Sequence, residues 1–339
     1  MSLELTSTLI LLLLCSVLLV ALNALIGGIA ALVFKTTFGK VFRWGFLSLA
    51  VPVLCVLYGF FIERNVFRTK EVEICFSNLP KGFDGYRIVQ LSDIHSRSFR
   101  GRPGILQKAV NKVNALDADL VAFTGDIITM SPDELDVTGP ILCGLRAKDG
   151  IVSVLGNHDY GVYARPGGGQ VKALDCSREV AAKQKAPGCS REVAARQKIL
   201  GWDILLDENR IIRRGTDSIA VVGVENTTPS PHFDSKGNLA KASIGTEGLF
   251  RILLSHDPMH WEAEVKGAGY PLMLSGHTHA AQFSFFGWSP SGWMFRQYRG
   301  LYDGGDDEYL YVNVGLGETI VPVRVGARPE IAVITLRRK

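Results

Sequence analysis

The sequence predicts an α/β layered fold carried behind an N-terminal transmembrane helical hairpin. Three observations predict it. Two long apolar runs without charged side chains open the chain. From Glu71 onward, short strand-like apolar runs alternate with helix-like ones. Small groups of Asp, Asn and His stand directly after those strands. Alternation of short strands with helices is the pattern of sheets covered by helices.

The hairpin comes first. The chain has 339 residues and a mean hydropathy of +0.17, positive because apolar residues concentrate ahead of residue 63. Residues 8–34 and 44–62 carry no charge, and each run is long enough to cross a hydrocarbon core of about 30 Å. Trp44 and Tyr58 suit the two interfaces, where amphipathic rings settle. A cleaved signal peptide would carry Lys or Arg ahead of its apolar stretch, whereas Met1 to Thr6 offers only Glu4. The expected organisation is therefore an anchor over residues 1–70 and one large domain over 71–339. Lys35, Lys40 and Arg43 lie between the spans, and Arg64, Arg68, Lys70 and Lys81 follow them. Three cations against four give no orientation bias. The net charge of +4 comes without a long Lys/Arg run, so no nucleic-acid partner is expected. Six cysteines include no CxxC pair, which leaves a zinc knuckle or a thioredoxin-like site unsupported.

In the large domain, residues 86–91, 119–123, 151–155, 251–254 and 271–274 read as strands, and 105–116 as an amphipathic helix. Beyond Tyr309 the pattern is purely strand-like, through YLYVNVGL, VPVRV and EIAVITL. Residues 176–188 and 189–201 are a tandem duplication (CSREVAAKQKAPG, CSREVAARQKILG). Two short copies cannot build a solenoid, and the insert at 176–201 reads as an extension of a surface helix, broken at Pro187 and Gly188.

Five groups follow strands: Asp93 and His95 in SDIH, Asp126 in TGD, Asn157, His158 and Asp159 in GNHD, His256 and Asp257 in SHDP, and His277 and His279 in SGHTH. They hold five of the chain's seven histidines; only His232 and His260 lie elsewhere. Functional groups of α/β sheets collect at the carboxyl ends of strands. DxH and HxH spacing places two side chains on one side of an extended segment. Carboxylate, amide oxygen and imidazole are donors for borderline divalent cations such as Zn, Mn or Fe. Gly125, Gly156 and Gly276 beside them allow sharp turns and close backbone approach. Taken singly, these groups also read as turns or caps: Gly-Asp is an ordinary turn pair, and Ser255 or Asp257 can cap a helix before Pro258. The ordered set carries the metal-site reading.

That set resembles the calcineurin-like metallophosphoesterases, whose pattern is DxH, GD, GNH with an acid, a lone His and GHxH. LPKGFDGYRIVQLSDIH and GLGETIVPVRVGARPEIAVITL are similar to the start and end of the membrane-anchored bacterial branch. The resemblance covers about Val72 to Leu336. It implies a four-layer α/β/β/α sandwich and a hydrolase using two divalent ions (Mn, Zn or Fe). One ion would sit on Asp93, His95, Asp126 and His279, the other on Asp126, Asn157, His256 and His277. His158 would protonate the leaving oxygen, and Asp159 would either orient it or cap a helix. The implied substrate is a phosphodiester, phosphomonoester or pyrophosphate. A lipid-linked molecule such as UDP-2,3-diacylglucosamine is a candidate, because some membrane-bound relatives cleave it. The implied location is the bacterial inner membrane. Where the branch commonly has GHTHGGQ, this chain has GHTHAAQ, with Ala280 and Ala281. Directly after it, residues 283–298 concentrate Phe, Trp, Met and Tyr, as a packed covering loop or as an apolar rim touching bilayer or acyl chain. The alternative function, an inactive metal-binding membrane scaffold, would typically have lost ligands or the acid, and this chain has them all. A transporter is disfavoured because its two spans carry no charge for an ion path.

Overall fold

The computed structural model describes residues 3–34, 37–161, 188–228 and 236–339. Twelve strands run in chain order as β1 (Arg68–Phe76), β2 (Arg87–Leu91), β3 (Leu120–Phe123), β4 (Ile151–Ser153), β5 (Asp203–Ile204), β6 (Glu208–Arg214), β7 (Asp217–Gly223), β8 (Phe250–Leu254), β9 (Leu272–Ser275), β10 (Gly300–Gly305), β11 (Glu308–Val312) and β12 (Glu330–Arg338). They form two six-stranded sheets, ordered β1-β12-β2-β3-β4-β5 and β10-β11-β9-β8-β7-β6. β2 to β5 are parallel to one another, as are β7, β8, β9 and β11. β12 is parallel to β1 and antiparallel to β2.

The central strands, such as β3 and β9, are buried along both faces because each sheet is covered on both sides. In β2, Ile88 and Val89 enter different cores, as successive residues of a strand must. Between the sheets, Ile88, Leu120 and Val152 meet Val221, Ile252 and Leu272. Outside the first sheet, Val89 and Val121 meet the helices Pro103–Asn114, Leu135–Leu142 and Cys189–Ile199. Outside the second, Val222 and Met273 meet the short helix Leu239–Ala242 and the helical turn Trp261–Val265. The result is the expected α/β fold in four layers.

The N-terminal hairpin is also present. A helix over Leu3–Phe34 packs against a second helical stretch, built from Phe38–Gly45, a 3-10 turn at Phe46–Leu49 and Ala50–Phe61. This stretch starts at Phe38 rather than 44. Phe38 stacks on Phe42 at 5.4 Å between ring centroids, and Phe42 meets Phe46 edge-on at 5.1 Å. That i, i+4 ladder extends the helix through Lys40 and Arg43, expected in a loop. Mid-helix Asn23 donates to Gly45 O at 2.7 Å and Ser48 Oγ at 2.9 Å, so its amide is satisfied inside the hairpin. The described cysteines Cys15, Cys55, Cys75, Cys143 and Cys189 are free thiols.

One expectation changes. The VPVRV segment is not a ladder strand: only Val325 makes an isolated bridge, to Phe283. Its backbone is held by side chains instead, with Gln282 Nε2 donating to Val321 O at 2.6 Å and Val323 O at 2.8 Å. The second copy of the duplication forms the helix Cys189–Ile199, whose Val193 and Ala194 enter the core, whose Arg196 is buried in an ion pair with Asp136 at 2.6 Å, and whose Arg191, Ala195 and Lys198 stay exposed. The first copy, residues 176–187, lies outside the described residues.

Candidate metal centre

The chain turns sharply after β2, β3, β4, β8 and β9, and these turns lie together. Asp93, His95, Asp126, His277 and His279 have φ of 50°, 44°, 58°, 73° and 50°. Such left-handed backbone is uncommon outside glycine and is held only where surroundings enforce it. The expected glycines are required by space. A Cβ on Gly156 would lie 2.2 Å from Asp126 Oδ1, and one on Gly276 would lie 1.9 Å from Ser92 Oγ.

Asp126 stands at the middle. Its Oδ2 is 3.1 Å from His256 Nε2 and 3.7 Å from His95 Nε2, while its Oδ1 accepts the His158 N–H at 2.8 Å. On one side, His279 Nε2 lies 3.0 Å from His95 Nε2 and 3.2 Å from Asp93 Oδ1. On the other, Asn157 Oδ1 is 3.1 Å from His256 Nε2 and 2.8 Å from His277 Nδ1, which is itself 3.2 Å from His256 Nε2. Three triads gather ligand atoms within 4.8 Å of one another: Asp93–His95–His279, His95–Asp126–His158 and Asp126–His256–His277. The structure thus brings together all seven expected ligands and places His158 among them, its ring 4.8 Å from that of His95. His260 lies outside, between Ser255 Oγ at 3.0 Å and Glu264 Oε2 at 2.9 Å; His232 falls outside the described residues.

Several supporting contacts fix these groups. His256 Nδ1–H donates to Thr124 O at 2.7 Å, which fixes Nε2 as the atom facing the site. His158 Nδ1 is 2.6 Å from Thr129 O. Both oxygens of Asp159 accept backbone N–H groups, from Asp126 and Gly156 at 2.9 Å and Ile128 at 3.2 Å. Asp159 therefore ties the TGD turn to the GNHD turn. Sequence reasoning missed Arg324, fully buried, whose guanidinium lies 3.1 Å from His279 Nδ1 and also donates to Val314 O and Ala327 O. Its signal was a lone Arg in an otherwise apolar VPVRV.

Electrostatics favour a cation. Burial pushes the Asp126 carboxyl up, but the facing rings of His256 and His158 outweigh it and hold it well below the carboxylate range. Asp93 behaves likewise beside His279. Burial lowers His256, yet Asp126 overrides this and lifts it to about 10. Burial and the charge of Asp126 push Asp159 up to about 8. In the second group, the lone pairs of His256 Nε2, Asn157 Oδ1, His277 Nδ1 and Asp126 Oδ2 converge without a donor of their own once His256 is neutral. Imidazole, amide oxygen and carboxylate in that number fit a borderline divalent ion.

Such an arrangement at the strand ends of a two-sheet sandwich defines a metal-dependent hydrolase. The calcineurin-like phosphoesterase family model matches residues 86–281. The chain belongs to that family and is a metal-dependent phosphoric ester hydrolase. It is 33% identical over 290 residues to the "Uncharacterized metallophosphoesterase YkuE" of Bacillus subtilis, covering 83% of this chain and 89% of that protein. It is 28% identical over 306 residues to a "Transmembrane protein with metallophosphoesterase domain" of Danio rerio, covering 88% of this chain but 63% of the relative. Over 119 residues it is 36% identical to the "UDP-2,3-diacylglucosamine pyrophosphatase LpxG" of Chlamydia trachomatis, covering 34% of this chain and 35% of that protein.

Proposed function

We propose that the chain is a membrane-anchored phosphoesterase working with two divalent ions, one on Asp93, His95, Asp126 and His279, the other on Asp126, Asn157, His256 and His277. The observation that carries this reading is Asp126 Oδ2, lying between His256 Nε2 at 3.1 Å and His95 Nε2 at 3.7 Å. One carboxylate shared by two groups of donors suits a pair of ions. Ions held there, of Mn, Zn or Fe, would lower the pKa of a water and offset charge on phosphoryl oxygens. His158, with Nδ1 engaged by Thr129 O, carries a proton on Nε2 when charged and delivers it to the leaving oxygen. Asn157 supplies a neutral oxygen, which keeps the site less anionic toward an anionic substrate. Asp159 positions the two turns that carry Asp126 and His158.

Residues 1–70 form the anchor and 71–339 the catalytic domain in this reading, with both spans in a bilayer. The transmembrane relative and the two apolar helices support a membrane protein; the bacterial relatives point to a bacterial cytoplasmic membrane. A lipid-linked phosphoester or pyrophosphate is the substrate favoured, with UDP-2,3-diacylglucosamine as a candidate. The loop after His279 supports it: Phe295 lies edge-on to His277 at 5.5 Å, while Phe286, Trp293 and Met294 are exposed. An apolar rim beside the site fits acyl chains.

The test is to purify the full chain, count its metals, and assay aryl phosphodiesters, monoesters and lipid-linked pyrophosphates. A chain that binds no divalent ion, or binds it and cleaves none of these, sinks the reading.

A further inference from the structure

Asp257 stands in the SHDP turn, next to the expected ligand His256, and is fully buried. Its Oδ1 accepts the Met259 N–H at 2.8 Å and so caps the helical turn that follows Pro258. Its Oδ2 is also buried and has no hydrogen-bond partner among the described residues. A buried carboxylate oxygen without a donor carries an uncompensated desolvation cost. The cap alone does not account for it. Ser or Asn would cap equally well and bury no charge.

The orphan oxygen is aimed at His277. His277 Nε2 lies 3.9 Å from Asp257 Oδ2. The other ring nitrogen, Nδ1, faces the candidate site, 2.8 Å from Asn157 Oδ1 and 3.2 Å from His256 Nε2. Phe295 packs edge-on against the ring, with centroids 5.5 Å apart. The His277 backbone N–H lies 3.1 Å from Asp93 Oδ2. The imidazole is therefore held with one nitrogen toward the other ligands and the second toward the orphan oxygen. A neutral ring that ligates through one nitrogen carries its proton on the other, and a carboxylate behind it fixes that choice. The gap exceeds a charge-assisted N–H···O bond by about 1 Å, within reach of a small ring rotation.

We propose that Asp257 is a positioning residue for the second ion. It accepts the Nε2 proton of His277 and so leaves the Nδ1 lone pair for the metal. The inference rests on the two-ion reading above and deepens it. The second ion takes Nε2 of His256, backed by Thr124 O, but Nδ1 of His277, backed by Asp257. Asp257 acts through the ring and is not itself a ligand.

The test uses the full-length protein in detergent, stripped of metal and titrated with Zn²⁺ at fixed pH. Asp257→Asn is the informative variant because it keeps both shape and cap. Its amide oxygen keeps the Met259 N–H, so its NH2 turns toward His277 Nε2. A donor there favours the tautomer with the proton on Nδ1, where the ion should be. Calorimetry shows two ions in the wild type, and one of them binds about 10- to 100-fold more weakly in Asp257→Asn, the usual loss for a group behind a metal ligand. A purely structural cap predicts no loss, since Asn caps as well as Asp. Nitrogen-15 histidine spectra of the Zn²⁺-loaded wild type give a second readout. The His277 signals, assigned by their loss in His277→Gln, show a proton on Nε2 and none on Nδ1. A proton on Nδ1, or two ions bound with unchanged affinity in Asp257→Asn, overturns the proposal and leaves the two-ion reading standing. A wild type that binds one ion or none sinks the two-ion reading itself, and the proposal with it.

Discussion

The two halves of the site around Asp126 are held differently. On the His256 side, the ring donates its Nδ1 proton to Thr124 O, a backbone group at the end of β3. On the His279 side, the ring's Nδ1 faces the guanidinium of Arg324, which can only donate. His256 Nε2 faces Asp126 Oδ2 at 3.1 Å, whereas His279 Nε2 faces Asp93 Oδ1 at 3.2 Å with a buried guanidinium behind its ring. One ring is braced by a neutral backbone carbonyl and the other by a cation. Symmetric ligand counts thus conceal unequal support.

The comparison can be broken most completely at its centre. Asp126→Asn removes the shared charge, so metal content measured by mass spectrometry falls to background and turnover is lost. A variant that keeps both would dismiss Asp126 as the common ligand. Next, His158→Ala spares both halves: metal stays, and the rate falls about 10²- to 10⁴-fold, most for poor leaving groups. Wild-type speed on an aryl phosphodiester would remove His158 from the acid role.

A finer test separates the halves. His256, lifted to about 10, must shed a proton before Nε2 can hold an ion, so calorimetric titration of the metal-free protein gives a phase whose affinity strengthens as pH rises toward 10. His256→Ala eliminates that pH-dependent phase. If the phase survives in His256→Ala, the released proton does not come from this ring. The smallest effect concerns the turn after His279. Ala280 and Ala281 adopt φ of 48° and 49°, where the left-handed backbone disfavours a Cβ by about 1–2 kcal/mol. Part of that gain is offset by the extra unfolded-state freedom of glycine. Ala281→Gly stabilises by about 1 kcal/mol net, read as a higher thermal midpoint with metal content unchanged.

Legibility in the sequence followed the range of the interactions. The strands β2, β3, β8 and β9 were readable because burial on both faces favours short apolar runs, and the helical hairpin because its two long apolar runs carry no charge. β1 was not, since its alternating RTKEVEICF exposes every other residue at a sheet edge, with burial only at Ile74 and Phe76. The ligand clusters were readable as motifs, and the structure gathers them within hydrogen-bonding distances of one another. Arg324 was not, because its contact with His279 spans 45 residues of chain and involves no motif spacing. VPVRV misled for a related reason: its alternation suggests a strand, yet the side chains of Arg64 and Gln282 supply the bonds that a neighbouring strand would have given.

The end of the helical hairpin has a further consequence. Glu63 accepts from Gly326 N at 2.9 Å, Arg64 clamps Pro322, and only Val66 and Phe67 separate the helical turn from β1. Two residues offer at most about 7 Å of slack. With its spans embedded, the hydrolytic head would stand at a fixed height and could not swing outward to fish in the aqueous phase. A dissolved metabolite gains nothing from that stiffness. A molecule confined to the same leaflet does, because lateral diffusion would bring it past the opening in two dimensions instead of three.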